Sequence, residues 1–489
     1  MREIRSFTYN GTVKPDWLYI IKTHRPMFTP SEPKTLAVPG RPGVYHFGNE
    51  RGYKEISFDV LIMATDDNDL WLKIEWLTGW LDQGTKKPLV LNDEPGRYYQ
   101  AIFISDAQDL EQFASMGTGT IRFLVPEYKY GQRYSFDIRN ITTPISITNR
   151  GTAPFHPYYT VTFRNTTNFF SLISPDGFIM YGKPAEVTQI IVPELENVLY
   201  DEMDDLALWS ASGVVMDYGV QSGSFYVDRG AQFAVQDYGD TDTNKTEWHG
   251  PILKRSLPAP LQDFRVVFEA RLSSGIKETS RICLWLLSST GNIVGRIIIW
   301  DRYMASEMNT VHATVGPAQD FTEIIATHGP RKGAYNNAFI RVRLRRKGMR
   351  WSVTVNKVDS AGRDLVNTEM YARVETSKYQ APISQVQIGT QKYGTTPGAS
   401  YADIRMLKVQ RVNEPRDERN ETPAIFQPGD RLEIDSEKGA GWLNGEYFNQ
   451  YLDPGSRFFS IEPGVTEIVA ETDTQATATM QLDYIERYK

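Results

Sequence analysis

Apolar and polar residues alternate along most of this chain. Runs such as "YYTVTFRN", "FRVVFEARL", "RIIIW", "FIRVRLRR" and "WSVTVNKV" repeat with a period of two, separated by clusters of Gly, Pro, Asn and Asp. That period sends successive side chains of an extended strand to opposite faces, and the intervening residues favour turns. The pattern predicts a mainly β protein. One stretch departs from it. In "TDDNDLWLKIEWLTGWLDQGT", Leu70, Ile74, Leu77 and Leu81 recur at helical spacing, Thr65 or an early Asp can cap the start, and Gly84 suits the stop. A single amphipathic helix inside a β-rich N-terminal domain is expected. Trp71 can share its aliphatic stripe. Trp76 and Trp80, four apart, have two readings: packing within the domain, or a second apolar face that meets a neighbouring subunit.

At 489 residues the chain exceeds what one core usually serves, so about two to four domains are expected. No run approaches the roughly 20 apolar residues of a membrane helix, and "MREIRSFTYNG" lacks the apolar block of a signal peptide. A soluble protein with no membrane insertion is the expectation. The single cysteine, Cys283, leaves no intramolecular disulfide or cysteine-based zinc site, and its place in "RICLWLLS" reads as a buried thiol. The histidines His24, His46, His156, His249, His312 and His328 include no pair at ligand spacing, so no metal is expected. No Walker loop, no GxGxxG after a strand and no GxSxG elbow occurs, so no cofactor is expected either.

Several stretches carry a specific likeness. "SFTYNG", "VPGRPGVY", "RGYKEISFDVLI", the helix and "LVLNDEPGRYYQAIF" together resemble the N-terminal domain of the distal tail proteins of long-tailed bacteriophages. "ITNRGTAPFHPYYTVTFRN" resembles the first strands of that family's galectin-like C-terminal domain. Its last strands are matched in order by Gly429, Asp430, Leu432, Ile434, Asp435, Asn444, Gly445, Ser456, Phe458, Phe459, Pro463, Gly464 and a closing "YIERYK". The likeness covers residues 1–195 and 413–489 and leaves the middle unaccounted for.

The resemblance implies a tail-tip hub: a ring of six copies joining the tail tube protein to a baseplate hub or fibre, located in the virion and assembled in the host cytoplasm. DNA would pass through the ring without specific binding. A sandwich needs strands from both matching segments to bury its sheets, so the middle is expected to be an inserted domain. The expected limits are 1–132 for the N-terminal belt, 133–198 and 413–489 for the two parts of the galectin-like sandwich, and 199–412 for the insert. The charged stretches "ELENVLYDEMDD" and "RVNEPRDERNETP" mark its two edges. Between Tyr200 and Val412 there are 26 Lys and Arg against 22 Asp and Glu, a net of +4, which leaves −11 of the chain's −7 on the rest. An acidic ring wall would repel DNA phosphates; ordinary solubilising charge is the plainer account.

The insert's strand, Gly-Asn turn and strand in "RICLWLLSSTGNIVGRIIIW", with a later hairpin around "KG", are the parts of an antiparallel jelly roll of the concanavalin or laminin-G class. Inserts of this kind in the family are often carbohydrate-binding modules, which implies host cell-wall saccharide as a partner. Sugar binding needs an aromatic face and polar groups that reach hydroxyls. Trp300, Asp301, Arg302 and Tyr303 at a strand end, and Trp248 in a loop, are the candidates, with core packing the competing account for both tryptophans. Arg341, Arg343 and Arg345 share one strand face and either grip an anionic wall polymer or pair with carboxylates.

A different class of function must also be weighed. Glu433, Asp435 and Glu437 stand at alternate positions of "EIDSE", and the resemblance here is to jelly-roll glucanases that use such a signature as a retaining acid and nucleophile. A glycan-cleaving depolymerase is therefore the alternative to a non-catalytic structural protein. The Asn444-Gly445 hairpin signal close behind and the membership of the trio in the split sandwich favour a structural strand with no catalytic residue.

Overall fold

The computed structural model describes residues 6–104, 111–113, 116–126, 128–139, 141, 143–184, 190–240, 244–413, 421–472 and 478–489. The expected linker "RVNEPRDERNETP" falls largely outside them. Strands dominate, as the alternation predicts, and the helix Asp67–Leu81 is the one α-helix among the described residues.

The N-terminal domain is a single curved sheet in the order Thr12–Val13, Phe7–Tyr9, Lys87–Leu91, Tyr99–Ile104, Met116–Val125, Lys54–Met63, Leu18–His24. Lys54–Met63 alternates strictly, sending Ile56, Phe58, Val60 and Ile62 inward to Phe7, Phe123 and Leu89. The helix closes this core. Asp66 caps it by accepting from the Asp69 amide, and Asp69 in turn accepts from the Thr65 amide at 2.8 Å. Leu70, Leu77, Trp80 and Leu81 are buried, and Gly84 takes the left-handed conformation just beyond the end. A hairpin, Ser31–Ala37 with Val44–Arg51, stands away from the sheet with every residue exposed.

The second domain is a two-sheet sandwich drawn from distant parts of the chain. One sheet runs Lys129–Ile138, Ala478–Tyr488, Tyr158–Phe163, Arg431–Asp435, Ala440–Leu443, Glu446–Tyr447; the other runs Ile145–Asn149, Gly464–Thr472, Phe169–Ser174, Gly177–Gly182. Tyr159 pairs with Ile434 and Val161 with Leu432, and all four are buried. Neither segment could exclude water from these residues without the other.

The insert is a larger sandwich of two eight-stranded sheets. One contains Tyr401–Val412, Phe264–Ser273, Ala338–Lys347, Arg350–Val358 and Asp364–Glu375; the other contains Ile383–Tyr393, Ser280–Leu287, Ile293–Asp301, Thr310–Val315 and Thr322–Thr327. Ile282, Leu284, Leu286, Ile297, Ile299 and Val311 from the second meet Val266, Phe268, Val342, Leu344 and Trp351 from the first. The galectin-like sandwich and the jelly-roll insert are as the pattern and the resemblance led one to expect. The expected limits at 132 and 198 fall inside strands, Lys129–Ile138 and Leu195–Asp201. Leu195–Asp201 pairs along the insert's last strand. Just outside it, Ile190–Pro193 and Glu421–Ala424 run parallel, hydrogen-bonded to each other.

Candidate functional site

The insert's second sheet has an outward face, and alternation decides what stands on it. In Ser280–Leu287 the even positions enter the core, so Arg281, Cys283, Trp285 and Leu287 point the other way; Arg296, Ile298 and Trp300, then Thr310, His312 and Thr314, follow on the next strands. Half of this face is roofed by residues 214–221. Asp217 there accepts from Trp285 Nε1 at 3.1 Å, Arg296 at 2.8 Å and the Ala318 amide at 2.8 Å, while Gln387 bonds both ends of the Val215 backbone. Beneath this roof Cys283 is fully buried and burial pushes its thiol up to about 11, so it is an inert core group.

The other half stays open and is rich in aromatic rings. Trp300 lies almost parallel to His312, centroids 5.8 Å apart, and Phe321 meets the far side of the histidine edge-on at 5.5 Å. The Arg302 guanidinium sits 4.6 Å above Trp300 and 5.3 Å from Tyr303. On the other flank Trp248 packs edge-on against Tyr393, and the Arg281 guanidinium lies 4.8 Å over the Trp248 ring. Arg281 is directly opposite Trp300 in the strand pairing and is fixed by Gln391 and the Tyr218 carbonyl. The two tryptophans thus belong to one strip, with Arg281 between them. Tyr218, Tyr303, Phe321 and Tyr393 are exposed along it. His312 Nε2 donates to the Glu323 carboxylate at 3.0 Å, and burial lowers the pKa of the ring.

Such a strip can do two things chemically: offer flat faces to sugar C–H groups, and offer donors and acceptors at its edges. Trp248, Trp300, Arg302 and Tyr303 are all on it. Asp301 is not available to it. Its carboxylate is buried, accepting from Ser274 Oγ at 2.6 Å and the Tyr303 amide at 3.0 Å, so it fixes the loop that presents its neighbours. Tyr218, Arg281, His312, Phe321, Glu323 and Tyr393 were missed by motif reading. The signal was there for some: "RICLW" and "VHATV" alternate, and their polar members share the face opposite the core.

The arginine row lies elsewhere and is not free. Arg341 pairs with Glu269 at 3.0 Å and Asp364 at 2.8 Å, Arg343 with Asp364 and with Glu446 at 3.1 Å, and Arg345 with Glu194 at 3.0 Å. Arg265 and Lys408 complete the group around Glu446. Glu446 belongs to the galectin-like sandwich, so the row is the seam between the two domains, beside a cleft of 720 Å³. Its guanidinium groups are spent on carboxylates, which corrects the expectation of an anionic-polymer grip. The Asn444-Gly445 turn docks here too. Its glycine has φ +80°, and a Cβ added there would meet the Gly362 carbonyl at 2.4 Å.

The carboxylate trio is also engaged. Glu433 accepts from the Tyr158 hydroxyl at 2.8 Å, Asp435 from the Glu437 and Lys438 amides at the following turn, and Glu437 from Arg487 at 2.6 Å. All three stand on the galectin-like sandwich, not on the insert's open face. Trp76 and Trp80 part company. Trp80 falls next to Leu77 and Leu81, stacks on Phe7 at 5.7 Å and donates to the Tyr9 carbonyl at 3.0 Å, so it is core and cannot serve a ring interface. Trp76, with Trp17 beside it at 5.7 Å, remains 44% exposed. Among the described residues no group of three His, Cys, Asp or Glu is placed to hold a metal ion, and no helix is long and apolar enough to cross a membrane.

Residues 18–125 match the phage tail protein RIFT-related domain, and residues 407–488 match the C-terminal domain of the siphovirus-type tail component. No curated protein matches the chain. Among solved structures, the distal tail protein of phage SPP1, titled a paradigm of the hub adsorption apparatus in phages infecting Gram-positive bacteria, is 19% identical over 37% of this chain and 75% of its own, with a TM-score of 0.33. A carbohydrate-binding module from the evolved distal tail protein of Lactobacillus casei BL23 phage J-1 is 16% identical, over 46% of this chain and all of its own, with a TM-score of 0.38. The laminarinase of Rhodothermus marinus is 16% identical, over 46% and 100%, with a TM-score of 0.32. The two family matches, at the two ends of the chain, carry the assignment.

Proposed function

We propose, from the premise that this chain is a distal tail protein of the siphovirus type, that it closes into a ring at the end of the tail tube and holds host saccharide on the aromatic strip of its insert. The observation that carries the ring is the pair of apolar surfaces on the N-terminal domain. A closed ring of identical subunits is heterologous, so each copy must offer two different, complementary patches. One is the hairpin 31–51, where Leu36, Val44, Tyr45 and Phe47 are exposed; the other is the outer helix face, with Trp71, Leu72 and Trp76. Exposed apolar surface of this extent on one small domain favours coverage by a partner. The two surfaces also suit each other in charge. The hairpin carries Lys34, Arg41 and Arg51 against Glu32 and Glu50, and the helix face carries Glu75 and Asp82. Six copies, the tail tube protein on one side and a baseplate hub or fibre on the other complete the reading. The net −11 outside the insert suits a channel that DNA crosses without adhering.

Disulfide trapping tests this directly, because the native Cys283 is buried. Chains carrying Phe47→Cys are mixed with chains carrying Leu72→Cys and oxidised. Crosslinked dimers are expected in the mixture only, and a chain with both changes should give a ladder ending at the closed ring. A monomer by light scattering at micromolar concentration, with no crosslink, would sink the ring.

The protein is proposed to bind glycan without cleaving it. Incubation with cell-wall polysaccharide is expected to release no reducing ends above buffer. Turnover abolished by Glu433→Gln or Glu437→Gln would reinstate the depolymerase.

A further inference from the structure

The arginine row expected to meet an anionic polymer is buried, yet one end of the insert has four exposed cations in no ion pair among the described residues. Three loops meet there. Ser274 and Asn336 bond each other through both backbone groups of Ser274, at 3.0 and 2.9 Å; Asn336 also reaches Glu307 at 3.2 Å; and the Lys277 amide donates to the Met304 carbonyl at 3.0 Å. Asp301, buried at the root of all this, accepts from Ser274, Tyr303 and Met308. The loops 274–279, 302–309 and 328–337 are therefore held as one rim, at the Trp300 end of the aromatic strip.

Lys277, Arg302, Arg331 and Lys332 are exposed on this rim. Elsewhere in the insert, arginines are paired as a rule: Arg255 with Asp201, Arg271 with Asp403, Arg296 with Asp217, Arg363 with Asp359. Among the described residues these four make no ion pair, and the two rim carboxylates are occupied, Glu278 with the Gly275 amide at 2.8 Å and Glu307 with Asn336. Arg302 is the cation nearest the strip. Its guanidinium lies over Trp300 and donates to the Tyr303 hydroxyl at 3.3 Å, while its other donors have no carboxylate to meet. A guanidinium oriented by a ring pays little entropy to bind an oxyanion and does so through two parallel hydrogen bonds.

We infer that the insert binds a glycan bearing phosphate or carboxylate groups, with a sugar ring set against the accessible part of Trp300 and Tyr303 and the anionic substituent taken by Arg302, Lys277, Arg331 and Lys332 supplying the surrounding positive field. This rests on the saccharide-binding reading above and narrows its ligand class. Two sources share the chemistry, a phosphodiester-linked wall polymer and a uronic-acid polysaccharide.

The full chain is titrated by interferometry against a poly(glycerol phosphate) teichoic acid, polygalacturonate, a neutral dextran, and host wall polysaccharide before and after removal of phosphate with hydrofluoric acid. Binding to one of the two anionic polymers or to the phosphate-bearing wall fraction is expected, with no comparable binding to dextran. Arg302→Gln should weaken it about tenfold, Arg302→Lys less, and Lys277→Gln, Arg331→Gln and Lys332→Gln by smaller steps. Raising salt from 50 to 500 mM should weaken the wild type more than Arg302→Gln. Phosphate removal abolishing binding identifies the first source; its persistence, together with binding to polygalacturonate, identifies the second. Equal binding to neutral and anionic glycans, or no effect of Arg302→Gln, overturns the anionic assignment and leaves saccharide binding standing. Binding to none of them overturns both.

Discussion

Glu446→Ala is expected to destabilise the folded chain by about 3 kcal/mol, because it leaves Arg265, Arg343 and Lys408 largely buried at the seam with their common partner gone. The surrounding cations hold the Glu446 carboxyl well below its ordinary value of 4.5 despite burial, which works against them. A carboxylate whose folded pKa is depressed contributes stability that is complete above its unfolded pKa and is lost as pH falls toward the folded one. The wild type should therefore lose this contribution below about pH 4.5. Asp403 and Asp430, raised by burial, act in the opposite direction. The difference between wild type and Glu446→Gln across pH 3–7 isolates the one group. Calorimetry is the measurement, and the transition to follow is that of the insert and sandwich together, since a chain of several domains need not melt in one step. The double change Glu446→Leu with Arg343→Met should recover part of the loss. An unchanged melting profile in Glu446→Ala would mean the seam contributes nothing.

The second large effect is on binding. Trp300→Ala should weaken capture of host wall polysaccharide by about 2 kcal/mol, roughly thirtyfold, the usual cost of truncating a central aromatic anchor. Trp248→Ala should cost less if the chain of sugars is anchored at the rim. Both rings lie on the outward face and are only partly buried, so the core between the sheets survives the change. Tyr226 is an exposed aromatic on the opposite sheet. Tyr226→Ala should leave binding intact. The reverse ranking, with Tyr226 essential and Trp300 dispensable, would move the site to the other face.

What could be read in advance follows from how local each determinant is. Strand period, the helix and its caps depend on residues within a few positions of one another, and they stand where the pattern put them. The split sandwich was legible for a different reason: two ordered motif sets could only be reconciled by folding together, and Tyr159 against Ile434 shows the result. The strip was half legible. Trp248 and Trp300 announced themselves as aromatics, one in a loop and one at a strand end, but that they share a face depends on two intervening strands and on Arg281, which no spacing could reveal. The arginine row misled because its partners are remote. Glu194 and Glu446 come from 151 and 103 residues away, the first brought in as Leu195–Asp201 pairs along Tyr401–Val412 and the second as the sandwich closes over the insert. Trp80 misled for the opposite reason, being judged by its distance from Trp76 when its distance from Leu77 set its face.

The chain enters and leaves the insert through two strands lying side by side, Ile190–Pro193 and Glu421–Ala424. A gene segment cut at those points is a cassette: its ends are already together, so it can be exchanged without opening the sandwich around it. The exchange has one condition. Glu446 stays behind on the recipient, and so does the Tyr158 hydroxyl that Arg363 reaches at 2.8 Å. A foreign cassette must therefore bring cations to the same two places, which makes compatibility at this seam a condition on any exchange.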